Sequence, residues 1–253
     1  MFRIVLINFF IIFGLLLSGC ATDRAAYTDR SRIMLLSESQ EIRMGEEARD
    51  QVLKSEKLST NKRMVELTQK VGQNIAKASG RDDFKWEFFV IQKDDVNAFC
   101  LPGGKIFVNE GLFKLATTEG ELATVVAHEV AHAIARHGAE RMSMQNTAGI
   151  IGSLISTAIS IGAPEYASAF DMAYGVGVNY GVILPYSRKM EYEADYIGIM
   201  IMRQARYDPN DALLFWEKMA NKGGKSAPEY LSTHPSDANR ISAIKNILRE
   251  IGN

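Results

Sequence analysis

His128, Glu129 and His132 form an HExxH run. On an α-helix, side chains four apart share a face, so His128 and His132 can offer two imidazole nitrogens to one metal ion. Glu129 then stands beside the ion as a base for bound water, and the chemistry this pattern supplies is metal-assisted hydrolysis. A third donor is available in the run SRKMEYEAD, where Glu191 and Asp195 are four apart and share a face while Glu193 points away from both. That geometry suits Glu191 as a metal ligand, with Asp195 behind it to accept the free N–H of a ligating histidine. The other reading of this run is an ordinary acidic helix face paired with Arg188 and Lys189. The chain has four histidines. His137 lies half a turn round the helix from His128 and is expected outside the site, against the negative end of the helix. His234 is left to reach the metal region, unless it is a solvent-exposed loop histidine.

The elements that must position these groups are marked in the sequence. Thr118 and Glu121 form a capping box, Leu122, Val125, Val126, Val130 and Ile134 supply apolar packing, and Gly138 is a natural stop, which predicts a helix over the motif. Phe84 to Ile91 is aromatic and β-branched and reads as a strand. In NAFCLPGGKIFVNEGL, Pro102-Gly103-Gly104 breaks the chain and Lys105 to Asn109 resumes it as a short strand. Proline and glycine there suggest a sheet edge. Such an edge can take an extended substrate as an added strand, which nominates Gly103, Gly104, Lys105, Ile106 and Phe107 for substrate binding; the alternative is a structural hairpin without substrate contact. Helices are also expected from Ser37 to about Glu56, from Asn61 to Gly80, over Ser187 to Ala205, after Asp208-Pro209, and after Ser236, the last containing Arg240. Cys100, between Phe99 and Leu101, reads as a small buried hydrophobe.

At 253 residues, 47% hydrophobic and 23% charged, the chain is long enough for one large globular domain. A formal net charge of −1 gives no reason to propose a nucleic-acid partner. Met1 to Gly19 has the layout of an export signal: Arg3, an apolar run from Ile4 to Leu17, then Ser18 and Gly19. Leu17-Ser18-Gly19-Cys20 resembles a bacterial lipobox, after which Cys20 becomes an acylated first residue. The expected organisation is a signal peptide over 1–19, a lipidated tether over 20–32 and one catalytic domain over 33–253. For a Gram-negative host, Ala21 rather than aspartate after the cysteine resembles lipoproteins bound for the outer membrane, and a lipid-tethered protein facing the periplasm is expected. Met142 to Pro164 carries no charged side chain and is expected to be a buried or membrane-facing helical hairpin.

Taken together, HEVAHAIARH, NAFCLPGG, SRKMEYEAD and HPSDANR resemble, in this order, the zinc metallopeptidase family that includes the CAAX prenyl endoprotease, HtpX and BepA, nearest its single-domain LoiP-like lipoprotein branch. The resemblance spans Gln40 to Arg249. It implies a mainly helical α+β fold of the zincin (gluzincin) kind, with a small sheet whose edge strand lies beside the HExxH helix. It also implies one Zn²⁺ held by His128, His132 and Glu191, Glu129 as the catalytic carboxylate, Asp195 behind the ligands, and His234 and Arg240 at the site rim. There His234 either assists catalysis or fills the open zinc position and holds the enzyme latent. The expected activity is cleavage of internal peptide bonds in misfolded or stalled periplasmic or outer-membrane proteins, with extended protein substrates, a membrane anchor and outer-membrane assembly proteins as partners. The competing reading is a zinc-containing lipoprotein that acts as a chaperone or scaffold.

Overall fold

The computed structural model describes residues 22–25, 27–162, 167–178, 183–222, 230, 234 and 238–252. Cys20 and the leader before it lie outside them. The described chain is mainly helical with two small sheets. A hairpin of β1 (Thr22–Arg24) and β2 (Ser31–Ile33) precedes helices α1 (Glu38–Ser55) and α2 (Lys62–Ala78). Strands β3 (Glu87–Ile91), β4 (Ala98–Leu101) and β5 (Lys105–Asn109) follow, then a 3₁₀ turn over Glu110–Lys114. The remaining helices are α3 (Glu119–Ile134), α4 (His137–Gly162), α5 (Ala167–Val178), α6 (Leu184–Gln204), α7 (Asn210–Asn221) and α8 (Ala238–Gly252).

The expected caps at Ser37, Asn61 and Thr118 form, each side chain accepting a backbone N–H of the first helical turn. Helix α3 is the axis of the molecule. Every residue from Glu121 to Ile134 is buried, because α2, α6, α7 and β4 cover it from different sides. Its alanines let α6 approach closely: a Cβ at Gly198 would sit 3.3 Å from the Ala127 carbonyl and the His128 nitrogen. That contact sets Glu191 and Asp195 within reach of the histidines.

The sheet order is β3-β5-β4, with β5 parallel to β3 and antiparallel to β4. Lys105 to Asn109 is therefore the central strand, which corrects the expectation of an edge. Lys105, Ile106 and Phe107 are buried, and the Lys105 ammonium is held by the Lys85 carbonyl and by Glu87 at 3.2 Å. Gly103 and Gly104, with φ of 75° and 85°, make the turn between β4 and β5, a conformation that glycine adopts without strain. These five residues support the sheet and do not face the cleft. The edge beside α3 belongs to β4.

Two further expectations change and a third narrows. Helix α3 ends at Ile134, and Arg136, with φ 62°, turns the chain; Gly138 lies inside α4. Strands β1 and β2 pack on the body, with Ala25 and Arg32 buried and Arg32 Nη1 donating to the Ala135 carbonyl at 2.6 Å. Residues 142–162 of the uncharged stretch form most of α4, which pairs with α5; Ile150, Leu154 and Ile161 are exposed, so of the two expected forms the buried hairpin is not the one present, and Pro164 lies outside the described residues. Among the described residues no helix is long and apolar enough to cross a membrane.

Candidate metal centre

His128, His132, Glu191 and His234 each point one ligand atom at a common centre, and these atoms all lie within 4.8 Å of one another. His128 Nε2 is 3.0 Å from His132 Nε2 and 3.2 Å from Glu191 Oε2, and His234 Nδ1 is 3.0 Å from the same Glu191 oxygen. All four side chains are buried. They come from three places in the chain: the motif helix α3, helix α6, and His234 in the segment before α8. The His234 ring stacks on Tyr230 at 4.4 Å, and its backbone N–H donates to the Tyr230 carbonyl.

Carboxylates behind the ring nitrogens orient them. His128 Nδ1 lies 3.0 Å from Asp195, which also receives two hydrogen bonds from Arg240, from Nε at 2.5 Å and from Nη2 at 2.8 Å. Arg240 was expected at the site rim. Instead it is 1% exposed, lies over the Trp216 ring at 3.6 Å and reaches Glu191 at 3.3 Å, so its charge is spent on holding acidic groups in place. The charge balance favours a cation. Burial would lower the His128 pKa, but hydrogen bonds to Asp195 and Glu191 outweigh it and raise it to about 9. Burial pushes Glu191 up, but His132, His128 and His234 outweigh it and hold the carboxyl well below the usual range. For His132 burial dominates and keeps the imidazole neutral, the form that ligates.

His137 does not sit against a helix end. The turn at Arg136 starts a new helix at His137 and brings its Nδ1 to 2.9 Å from His132 Nδ1, with Nε2 3.3 Å from Glu193. Burial pushes Glu193 up, but hydrogen bonds from His137, Thr28 and Arg30 outweigh it and bring it down to about 2. No local pattern marks these contacts, because Arg30 and Glu193 are 163 residues apart.

Glu129 is 1% exposed and takes no place among the four donors. The Tyr230 hydroxyl donates to its Oε1 at 2.8 Å, and His234 Nε2 is 3.5 Å from the same oxygen. Glu129 lines a cleft of about 320 Å³ together with Asn97, with Ala98, Phe99 and Cys100 of β4, and with His132 and His137. Cys100 is half-buried in that wall with its thiol against Glu129, and burial, reinforced by this carboxylate, holds it well above the usual thiol range. It is thus a neutral thiol that packs against the core, as expected, and also lines the cleft.

A metal fits these residues. Among the described residues the Glu191 Oε1 atom is buried without a hydrogen-bond partner, beside two imidazole nitrogens that face one another. Imidazole and carboxylate donors suit a borderline ion such as zinc. A buried carboxylate oxygen that accepts no hydrogen bond would otherwise be costly.

Comparison with known proteins leads to the same chemistry. The chain is 37% identical over 250 residues to the mitochondrial metalloendopeptidase OMA1 of Schizosaccharomyces pombe, covering 94% of this chain and 72% of that protein. It is 38% identical to OMA1 of Arabidopsis thaliana over 69% of this chain and 34% of the relative. The β-barrel assembly-enhancing protease of Escherichia coli is 30% identical over 83% of the chain and 44% of its own length. The outer-membrane, periplasm-facing location drawn from the leader does not stand, because the relatives of higher identity are mitochondrial proteins. The model of peptidase family M48 matches residues 62–248, from α2 through the HExxH helix and Glu191 to α8. With its donor cluster inside that match, the chain belongs to peptidase family M48 and is a metalloendopeptidase.

Proposed function

We propose that the chain is a zinc endopeptidase that cleaves extended internal segments of proteins stalled during folding or membrane assembly. The observation that carries this reading is the convergence of His128, His132 and Glu191, with an orphaned Glu191 oxygen, beside a Glu129 that opens onto a cleft. His128, His132 and Glu191 hold the ion. Zinc, when bound, lowers the pKa of a coordinated water and polarises the scissile carbonyl. Glu129 takes the water proton at its carboxylate and returns a proton to the leaving amine, and the Tyr230 hydroxyl fixes the orientation of that carboxylate. Asp195, backed by Arg240, keeps the Nδ1 proton of His128 in place and leaves its Nε2 lone pair for the ion.

Substrate lies along the outer edge of β4 as an added strand, which reads the backbone and tolerates many sequences. His234 is the latch: its Nδ1 stands with the three ligands and fills the position that a catalytic zinc keeps open for water. Acylation of Cys20 as a membrane attachment is a separate proposal that names no compartment, and mass spectrometry of the mature N-terminal residue tests it. One observation favours a second reading, a scaffold with structural zinc, because four protein donors close a site in the manner of structural zinc.

Glu129→Gln decides between them, since it removes the base and no ligand. With zinc bound stoichiometrically to both proteins, hydrolysis of casein is expected to fall by about 10²–10⁴-fold in the variant. Unchanged hydrolysis would refute the assignment of the base, and casein untouched by both wild type and His234→Ala would leave the scaffold.

A further inference from the structure

His132 has two ring nitrogens with different tasks. Nε2 faces the donor cluster, 3.5 Å from Glu191 Oε1, whereas Nδ1 faces away and lies 2.9 Å from Nδ1 of His137. If Nε2 is to give its lone pair to a metal, the ring proton must sit on Nδ1, and that proton needs an acceptor. The only atom of His137 in reach is its Nδ1, which accepts only when the His137 proton is on Nε2. That proton in turn points at Glu193 Oε2, 3.3 Å away. The direction of each hydrogen bond is therefore fixed by the next.

Glu193 is anchored at its far side by the N-terminal hairpin. Arg30, in the turn that leads into β2, donates to Glu193 from Nε at 3.0 Å and from Nη2 at 2.7 Å, and its Nη1 and Nη2 also reach the two oxygens of Glu140 at 2.6 and 2.8 Å. Thr28 donates to the other Glu193 oxygen at 2.5 Å. Arg30 is largely covered, Glu140 fully and Glu193 nearly so, so the pairing is dry and multidentate, and a flexible terminus would not produce it. The arrangement parallels the one behind His128, where Asp195 and Arg240 perform the same task with one fewer link.

We infer that His137, Glu193 and Arg30 form a positioning relay that locks His132 in its metal-binding tautomer and makes the β1–β2 hairpin a working part of the active site. This rests on His132 being a metal ligand, as proposed above. His137 and Glu193 are positioning residues; neither holds the ion. Alternation of Glu191, Glu193 and Asp195 along one helix thus serves three tasks, with Glu191 at the ion and a carboxylate for each flanking imidazole.

The test measures zinc affinity of the full chain by competition with a chromophoric chelator. His137→Phe keeps a ring and removes the acceptor, and it is expected to weaken zinc binding by about 10–100-fold, the effect usual for loss of such a partner. Arg30→Met is expected to weaken it in the same direction by a smaller factor. His137→Gln, whose amide oxygen can accept and whose amide nitrogen can donate, is expected to recover part of the loss. Wild-type affinity in His137→Phe would overturn the relay. Failure of the wild type itself to bind zinc would overturn the metal reading and the relay with it. Should His137→Phe not fold, ¹⁵N imidazole NMR of the zinc-loaded wild type decides the matter: His137 is expected as the Nε2–H tautomer, and an Nδ1–H tautomer would refute the inference.

Discussion

Replacing His234 with alanine separates a latch from a catalytic group. In the structure His234 Nδ1 stands among the donors, 3.0 Å from Glu191 Oε2, and the ring stacks on Tyr230 at 4.4 Å. With zinc bound, that nitrogen gives its lone pair to the ion and the contact with Glu191 no longer counts, whereas ring stacking still contributes about 0.5–1.5 kcal/mol to the closed arrangement. At that bias alone the open form makes up about 10–30% of molecules, so abolishing the latch is expected to raise peptide hydrolysis by at least about 3–10-fold. Because the variant also loses a donor, the assay must run at saturating zinc, with casein or a quenched fluorescent peptide and initial rates. A fall of ten-fold or more under those conditions would refute the latch and place His234 in the chemistry.

Asp195→Asn is expected to weaken zinc binding by about 10–100-fold, measured by chelator competition, because it weakens the acceptor behind His128 Nδ1. Gly198→Val should destabilise the fold by about 1–3 kcal/mol in urea unfolding, since its side chain meets the Ala127 carbonyl at the closest approach of α3 and α6. Glu193 sets an acid limit. Its pKa falls from 4.5 in the free state to about 2, so its contribution is complete above pH 4.5 and disappears as pH drops towards 2. Thermal melts of Glu193→Gln should therefore lose less stability over that window than the wild type, and parallel curves would count against it.

The sequence disclosed what local rules govern. The capping boxes at Ser37 and Thr118, the four-residue spacing of His128 and His132 and that of Glu191 and Asp195 all appear where periodicity puts them. What it hid depends on contacts between distant segments or on an unusual backbone. Sheet order cannot be read from one strand, so Lys105 to Phe107 was assigned to an edge although β3 covers it. His137 departs from the position a straight helix gives it because α3 ends at Ile134 and Arg136, a non-glycine residue in the left-handed region, turns the chain. Tyr230 gave no signal; only the structure shows its hydroxyl on Glu129. Arg30 looked like part of a polar tether because its partners, Glu140 and Glu193, lie far along the chain.

The outer edge of β4, unpaired among the described residues, carries a consequence for the substrate binding proposed above. Its four residues, Ala98–Leu101, offer backbone groups over about 13 Å. A partner strand must first leave whatever sheet or helix it occupies, so the opening equilibrium of the substrate enters the rate directly. Each 1.4 kcal/mol of local stability in a client protein would then slow its cleavage about ten-fold, whatever its sequence. Selection on this view is thermometric: the enzyme samples how often a segment is unfolded, and a ligand that steadies the client protects it without touching the protease.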